Sequence, residues 1–312
     1  MKIHSRKRLS IILLSVSVVM TAAGETDNGL AEEVINETSD SVLARQLRAE
    51  GITFSHNNSV TLLMNGQEKF DDLFKAIDQA RSTIHMEYFN FRNDSINREL
   101  IGHLAPKAAE GVKVRLVFDG FGNASNNSPM RKRDLKFIRS KGIEIYEFNP
   151  VKFPFLNDVF NRDHRKIVVI DGRIAYTGGM NIADYYIKGT KQVGSWHDMH
   201  CRISGGEVNT LQRIFVKMWE QVTGKPLNDA GLYHGGQDIS YFKGLKPDVC
   251  ESAGHKMVGI INREPHNGNK IIRKFYLDAI NDAQDSIKLI NPYFTLSHNL
   301  KKALKDAVKR GV

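Results

Sequence analysis

Cysteine is scarce, two in 312 residues, which excludes a disulfide-stapled scaffold. Cys201 and Cys250 are expected as buried, unpaired thiols, although export would permit a bond between them. The sequence also lacks a compact His, Cys and Asp set for a metal. His197 and His200 are close in sequence, but strand alternation puts them on opposite faces, so no metal or other cofactor is expected. The apolar run Leu9–Met20 is too short for a comfortable membrane-spanning helix. No cysteine follows that run, which argues against a lipoprotein anchor.

What is present is globular in composition, with 41% hydrophobic and 25% charged residues, and long enough for one large or two ordinary domains. Net charge is +9, of which Lys2, Arg6, Lys7 and Arg8 supply four, leaving +5 (9 − 4). That balance suits an anionic lipid surface or nucleic acid. The basic start, the apolar run and the small-residue exit Thr21-Ala22-Ala23-Gly24 make residues 1–24 a secretory signal pattern, read as cleaved rather than retained as an anchor. An exported or membrane-associated protein is expected.

Residues 25–50 read as a polar lead-in with a short helical pattern at Val42–Leu47. Strands are expected at Val60–Met64, Thr83–Phe89, Val112–Phe118 and Ile143–Phe148. Phe70, Leu73, Phe74 and Ile77 recur at helical spacing, and Ile96–Glu110 reads as a helix stopped by Gly111. Phe121–Asn127 is expected as a loop, after which Ser128 caps a helix that Gly142 closes. Strand and helix alternate, so the fold class is α/β, a layered sheet flanked by helices. Phe153, Pro154, Phe155, Leu156 and Phe160 crowd the loop Val151–Asn161; they either touch acyl chains or a membrane surface, or pack beneath the loop. Trp196–Ile203 reads as a strand with Trp196, Asp198, His200 and Arg202 on one face. The next helix carries an apolar stripe from Val208 to Trp219.

The chemistry concentrates in Asn161–Tyr185. His164, Lys166, Asp171, Gly178, Gly179 and Asn181 follow the spacing H-x-K-x4-D-x6-G-G-x-N. Ile167–Ile170 is an apolar strand, and Asp171-Gly172 is a strong two-residue hairpin turn. Residues two apart in a strand share a face, so His164 and Lys166 point the same way. With a two-residue turn Ile170 pairs with Arg173, Lys166 faces Thr177, and His164 faces Gly179. The glycines would leave a bare wall for close approach of a ligand. Imidazole, ammonium, amide and backbone N–H groups suit a phosphodiester, whose oxygens need neutralising when phosphorus is attacked.

This stretch resembles the HKD motif of the phospholipase D superfamily, and the bacterial cardiolipin synthases in particular; Gly-Gly is common in that branch. The resemblance implies a phospholipase D-like sheet and a phosphatidyl transfer through a phosphohistidine. His164 would be the nucleophile or its acid/base partner, Lys166 and Asn181 would hold phosphate oxygens, and Asp171 would brace the turn. It also implies a phosphatidylglycerol-type lipid as partner, and with the signal pattern the expected setting is the periplasm or the outer face of the inner membrane; hydrolysis or nucleic-acid cleavage are the alternatives, nucleic acid being the lesser. The pattern W-x-D-x-H-x-R-I-x-G resembles the same family, in which an acid placed like Asp198 orients a histidine; the alternative is an ion pair with Arg202. A phosphodiesterase of this kind needs a second histidine. Ala279-Ile280 and Ile287 repeat the spacing of Ala76-Ile77 and Ile84, but no second motif occurs before Val312. The expected layout is residues 51–222 as a complete first half, 223–254 as connector, and 255–312 as the opening of a second half. A fragment of a longer enzyme is the expectation, with a second copy or an inert remnant as alternatives.

Overall fold

A computed structural model of the chain describes residues 9–13, 18–22, 42–151, 161–192, 194–227, 253–265, 270–289 and 294–312. The phenylalanine-rich loop 152–160, most of the connector and Cys250 lie outside the described residues, and with them the lipid-contact reading of that loop and any Cys201–Cys250 bond. Cys201 is a buried free thiol that donates to the Thr177 carbonyl.

In chain order the elements are β1 (Leu9–Leu13), β2 (Val18–Ala22), α1 (Val42–Ala49), β3 (Phe54–Leu63), α2 (Gly66–Asp78), β4 (Thr83–Tyr88) and α3 (Ser95–Ala109). Then come β5 (Lys113–Asp119), α4 (Gly120–Ala124), α5 (Lys132–Ser140), β6 (Glu144–Phe148), β7 (Lys166–Ile170), β8 (Ile174–Gly178) and α6 (Tyr185–Lys188). The last are β9 (His200–Ser204), α7 (Val208–Thr223), β10 (Lys256–Ile261), α8 (Ile271–Asp282) and α9 (His298–Lys309). Contacts divide the chain into two compact units, Ser55–Val258 and Met1–Phe54 with Gly259–Val312.

In the larger unit seven strands run in the order β3-β9-β8-β7-β4-β5-β6. β4, β5 and β6 are parallel; β7, β8, β9 and β3 join antiparallel. Along β5, Leu116 and Phe118 enter the cluster formed with α2, α3 and α5, whereas Val117 enters the one formed with α7. Helices therefore cover both faces, and β4 is buried along its whole length. The helices start where polar side chains cap them: Asn65 accepts from the Glu68 N–H, and Asp94 from the Asn97 N–H. On the α7 side His85 stacks on Phe215 at 4.6 Å and meets Gln212 at 3.2 Å, and burial with Arg115 beside it pushes its imidazole down to about 3. It is a neutral core histidine.

Four expectations are corrected. Residues expected as a loop after β5 include α4, because Asp119 Oδ1 accepts from the Phe121 and Gly122 N–H groups and starts a turn of helix. The next helix begins at Lys132 rather than at Pro129 behind a Ser128 cap. Asn123 clamps the Met130 backbone from both sides (2.8 and 3.1 Å), holding that stretch extended, and Asp134 accepts from the Arg131 N–H instead. The strand expected from Trp196 forms only from His200. Finally, the hairpin is one residue out of the expected register. Asp171 and Gly172 do take positive φ (53° and 63°), and the Arg173 N–H donates to Ile170 O at 3.0 Å. Yet Ile170 pairs with Ile174 and Ile167 with Thr177. Pairing Ile170 with Arg173 would turn an arginine onto the buried face; the observed ladder puts Ile174 there and leaves Arg173 exposed.

In the smaller unit β1 and β2 pair antiparallel. Leu43 and Leu47 of α1 pack with Ile261 and Phe275, and α8 meets α9 through Ile280, Ala303 and Ala307. The order β10-α8-α9 parallels β3-α2-α3, and Gly111 and Gly311, at φ 96° and 90°, follow α3 and α9. Around Ile287 the described residues 283–289 form no strand, unlike β4. β4 is held by ladders to β5 and β7, and among the described residues the Ile287 segment has no such ladder. Among the described residues no helix is long and apolar enough to cross a membrane.

Asp171 ties the hairpin to the sheet: its carboxylate accepts from the backbone N–H groups of Arg81, Ser82 and Thr83 at 2.8, 2.7 and 2.9 Å. Asp171→Ala should remove about 3 kcal/mol by orphaning those donors, a loss visible in thermal unfolding. Asp171→Asn, which keeps an acceptor oxygen and tolerates positive φ, should lose clearly less.

Candidate active site

Lys166 opens β7 beside the last residue of β4: Tyr88 pairs with Lys166, and Gly178 pairs with His200. One step beyond the Ile167–Thr177 pair, Lys166 stands opposite Gly178. Tyr88, Lys166, Gly178 and His200 thus form a row across four strands on the α2 face, at the carboxyl edge of the parallel strands, where α/β sheets place their ligands.

The segment leading into β7 is fixed from the other face. Asp163 and Arg165 are buried, and the Arg165 guanidinium meets Glu87 at 2.7 Å and Asp163 at 2.8 Å. The Asp163 N–H donates to Asp119 Oδ2 at 2.9 Å. With both neighbours held inward, His164 turns outward, its side chain exposed and its ring 4.6 Å from that of Phe89. Lys166 Nζ lies 3.1 Å from His164 Nδ1 and donates to the His164 carbonyl at 2.6 Å. The two groups are side by side, as strand alternation requires.

The glycine wall is not bare, which corrects the expectation of open room for a ligand. A methyl group on Gly178 would run into the His200 ring, and one on Gly179 into the Asp198 carboxylate. These glycines make room for the chain's own side chains. Asp198 accepts from the Met199 N–H at 2.7 Å and feels the charges of Lys166 and Lys69. The ion pair considered for it is made elsewhere: Arg202 pairs with Asp72 at 3.3 Å. Asn181 is occupied in closing the loop, with Oδ1 accepting from the Asn90 N–H at 3.1 Å and Nδ2 donating to the Tyr186 hydroxyl at 3.2 Å. Asp171 sits at the far end of β7 from Lys166.

Sequence reasoning missed Lys69. This residue of α2 is fully buried and donates to the carbonyls of Met180 (3.2 Å) and Asn181 (3.0 Å), over the rings of Phe70 and Tyr88. It lies one turn before Leu73 on the buried stripe of the helix, so a lysine amid that apolar spacing was the available signal. His200 was noted only for its strand face. Among the described residues neither of its ring nitrogens has a hydrogen-bond partner.

Electrostatics follow from this crowding. Burial pushes the Lys166 ammonium down to about 7, against the pull of Asp163, Asp198 and Asp119. Burial also lowers Lys69 well below the ordinary lysine range, and it holds His200 neutral with help from the Lys69 and Lys166 charges. Burial raises Asp198, opposed by Lys166 and Lys69. Desolvation by surrounding protein, then the Lys166 charge, brings His164 down to about 4, against the pull of Asp163. At neutral pH His164 is therefore an uncharged imidazole beside a lysine poised between its two forms. Such a pair can attack phosphorus and offset charge on its oxygens. Among the described residues no group of three or more His, Cys, Asp and Glu side chains is placed to hold a metal ion.

Residues 73–219 match the family model described as cardiolipin synthase, PLD-like domain. The chain is 33% identical over 272 residues to the probable cardiolipin synthase YwiE of Bacillus subtilis (strain 168), covering 85% of this chain and 50% of that protein. It is 37% identical over 257 residues to a cardiolipin synthase of Staphylococcus aureus (strain N315), covering 82% and 49%. The chain spans about half the length of the curated relatives it matches. Among solved structures, the phosphatidylserine synthase of Haemophilus influenzae Rd KW20 matches with a TM-score of 0.59 at 12% identity, covering 86% of this chain and 64% of that one; the likeness is one of fold.

The charge coupling is testable without turnover. By NMR titration of the ring carbons, His164 should titrate well below an ordinary histidine, near 4. Removing the neighbouring positive charge in Lys166→Met should move the midpoint up toward the free value, stopping short of it because desolvation persists. An unchanged midpoint would mean that the two groups do not interact.

Proposed function

We propose that the chain belongs to a phosphatidyltransferase of the phospholipase D superfamily, of the cardiolipin synthase kind; the match of residues 73–219 to a cardiolipin synthase, PLD-like domain supports this reading. The observation that carries this reading is the 3.1 Å approach of Lys166 Nζ to His164 Nδ1 at the carboxyl edge of the sheet. His164 attacks the phosphorus of a phosphatidylglycerol-type lipid. The bond from phosphorus to the leaving glycerol oxygen breaks, and a phosphatidyl-histidine forms. Lys166 offsets charge on the phosphate oxygens, and Asn181 holds the loop beside them. The leaving oxygen needs a proton from a second histidine, supplied by the other half of a longer chain or by a second copy. The second histidine then takes the proton from the hydroxyl of a second phosphatidylglycerol, that oxygen attacks phosphorus, the P–N bond breaks, and cardiolipin results, glycerol having left in the first step. With water as acceptor the same steps amount to hydrolysis. Asp198, close to Lys166 and Lys69, tempers the positive charge of the cluster and is available to orient the incoming histidine. The basic start and apolar run before residue 24 support an exported or membrane-associated setting.

The test is turnover of phosphatidylglycerol vesicles and, separately, of single-stranded DNA, with wild type and His164→Ala. Lipid turnover lost in His164→Ala, by at least a thousandfold or so for a nucleophile, supports the reading. DNA cleavage without lipid turnover, lost in the same variant, would replace it with a nuclease. A monomer inert on both substrates would favour a remnant or a half that needs its complement.

A further inference from the structure

Helix α5 carries a surface that the chemistry at His164 does not use. Between residues 131 and 141 there are six basic side chains (Arg131, Lys132, Arg133, Lys136, Arg139, Lys141) and one acid, Asp134, a local balance of +5 within a chain of +9. Leu135 and Ile138 turn inward to the core. At 100° per residue the outward arc holds Lys132, Arg133, Lys136, Phe137 and Ser140. All five are exposed, and Phe137 keeps 56% of its surface open. Asp134 is taken up in capping the Arg131 N–H and meeting Arg133 at 3.6 Å. Arg139 is turned away, donating to Ile145 O at 2.7 Å and lying over the Tyr146 ring. Lys141 folds its ammonium to 5.2 Å from the Phe137 ring centroid.

We propose that the outer face of α5 is the docking surface of this domain for an anionic phospholipid membrane. A bare aromatic ring ringed by lysines and arginines is the composition of a helix lying in a lipid interface: the ring enters the acyl boundary while long basic stems reach back to headgroup phosphates. Charge complementarity names the occupant. A purely phosphate-tracking face for nucleic acid would gain little from a phenylalanine held outside any groove. The topology fits as well. The carboxyl end of β5 leads through α4 and the stretch that Asn123 holds extended into the start of α5, and His164 and Lys166 sit on that same edge, beside the end of β4. The basic start of α5, Arg131–Arg133, thus lies toward the reacting edge, so docking brings that edge to the headgroup layer. The proposal deepens the lipid reading of the site and rests on it.

Binding is measured by co-sedimentation with vesicles of phosphatidylcholine alone and of equimolar phosphatidylcholine and phosphatidylglycerol, and in parallel to single-stranded DNA. The variants are the triple charge reversal Lys132→Glu, Arg133→Glu, Lys136→Glu, and Phe137→Ala. All four positions are exposed, and retained unfolding midpoints confirm intact folds. The expected result is salt-sensitive binding to the anionic vesicles only, weakened on the order of a hundredfold by the triple reversal, and severalfold by Phe137→Ala at salt high enough to screen charge. Full vesicle binding by the triple variant overturns the proposal. So does loss of DNA binding in that variant with vesicle binding intact, which gives the face to nucleic acid. None of these readouts needs turnover. A chain that docks through α5 but leaves phosphatidylglycerol uncleaved keeps the docking face and loses the activity reading.

Discussion

The register of one hairpin governs the site. Turn chemistry at Asp171-Gly172 favours pairing Ile170 with Arg173, whereas burial favours pairing it with Ile174, and burial wins. Pairing with β4 puts Lys166, Val168 and Ile170 on the α2 face, and the one-residue difference brings Tyr176 of β8 to that face with them. It also sets Gly178, rather than the side chain of Thr177, opposite the lysine. Every later feature of the cluster follows: His200 leans into the space over Gly178, Asp198 into that over Gly179, and Lys69 descends from α2 onto the same row.

Burying two ammonium groups in one cluster is costly, and the surroundings show what offsets it. Lys69 exchanges water for two backbone carbonyls and two aromatic faces. Lys166 gains the His164 carbonyl and the fields of Asp163, Asp198 and Asp119, yet stays near the midpoint of its titration at neutral pH. An anionic phosphodiester entering beside it would supply the missing negative charge and restore full protonation. The resting site is thus electrostatically unsatisfied in the sense opposite to its proposed substrate. Such strain is expected where binding energy is to be realised on a charged ligand.

Much of this was legible in the sequence. The side-by-side placement of His164 and Lys166 follows from alternation alone, β4, β5 and β6 were read to within a residue or so of their bounds, β3 was read only in its second half, and α7 presents the stripe its spacing indicated. What escaped depends on partners distant in sequence. Whether Gly178 and Gly179 leave a void or admit a neighbour depends on β9 lying beside β8. Lys69 escaped because its partners, the carbonyls of Met180 and Asn181, lie more than a hundred residues away. The anchoring of Asp163 and Arg165 relies on Glu87 and Asp119, each more than forty residues away. The start of α5 was misplaced because Ser128-Pro129 is a good local signal overruled by Asn123, which holds the Met130 backbone extended.

The most direct measurement is a search for the covalent intermediate on a phosphodiester with a p-nitrophenyl leaving group, which departs without a proton from a second histidine. Rapid acid-free quenching and peptide mass spectrometry should find the phosphoryl group on His164, and far less of it in Lys166→Met. Leaving-group release with no adduct on His164, or with an adduct on another residue, would contradict the account.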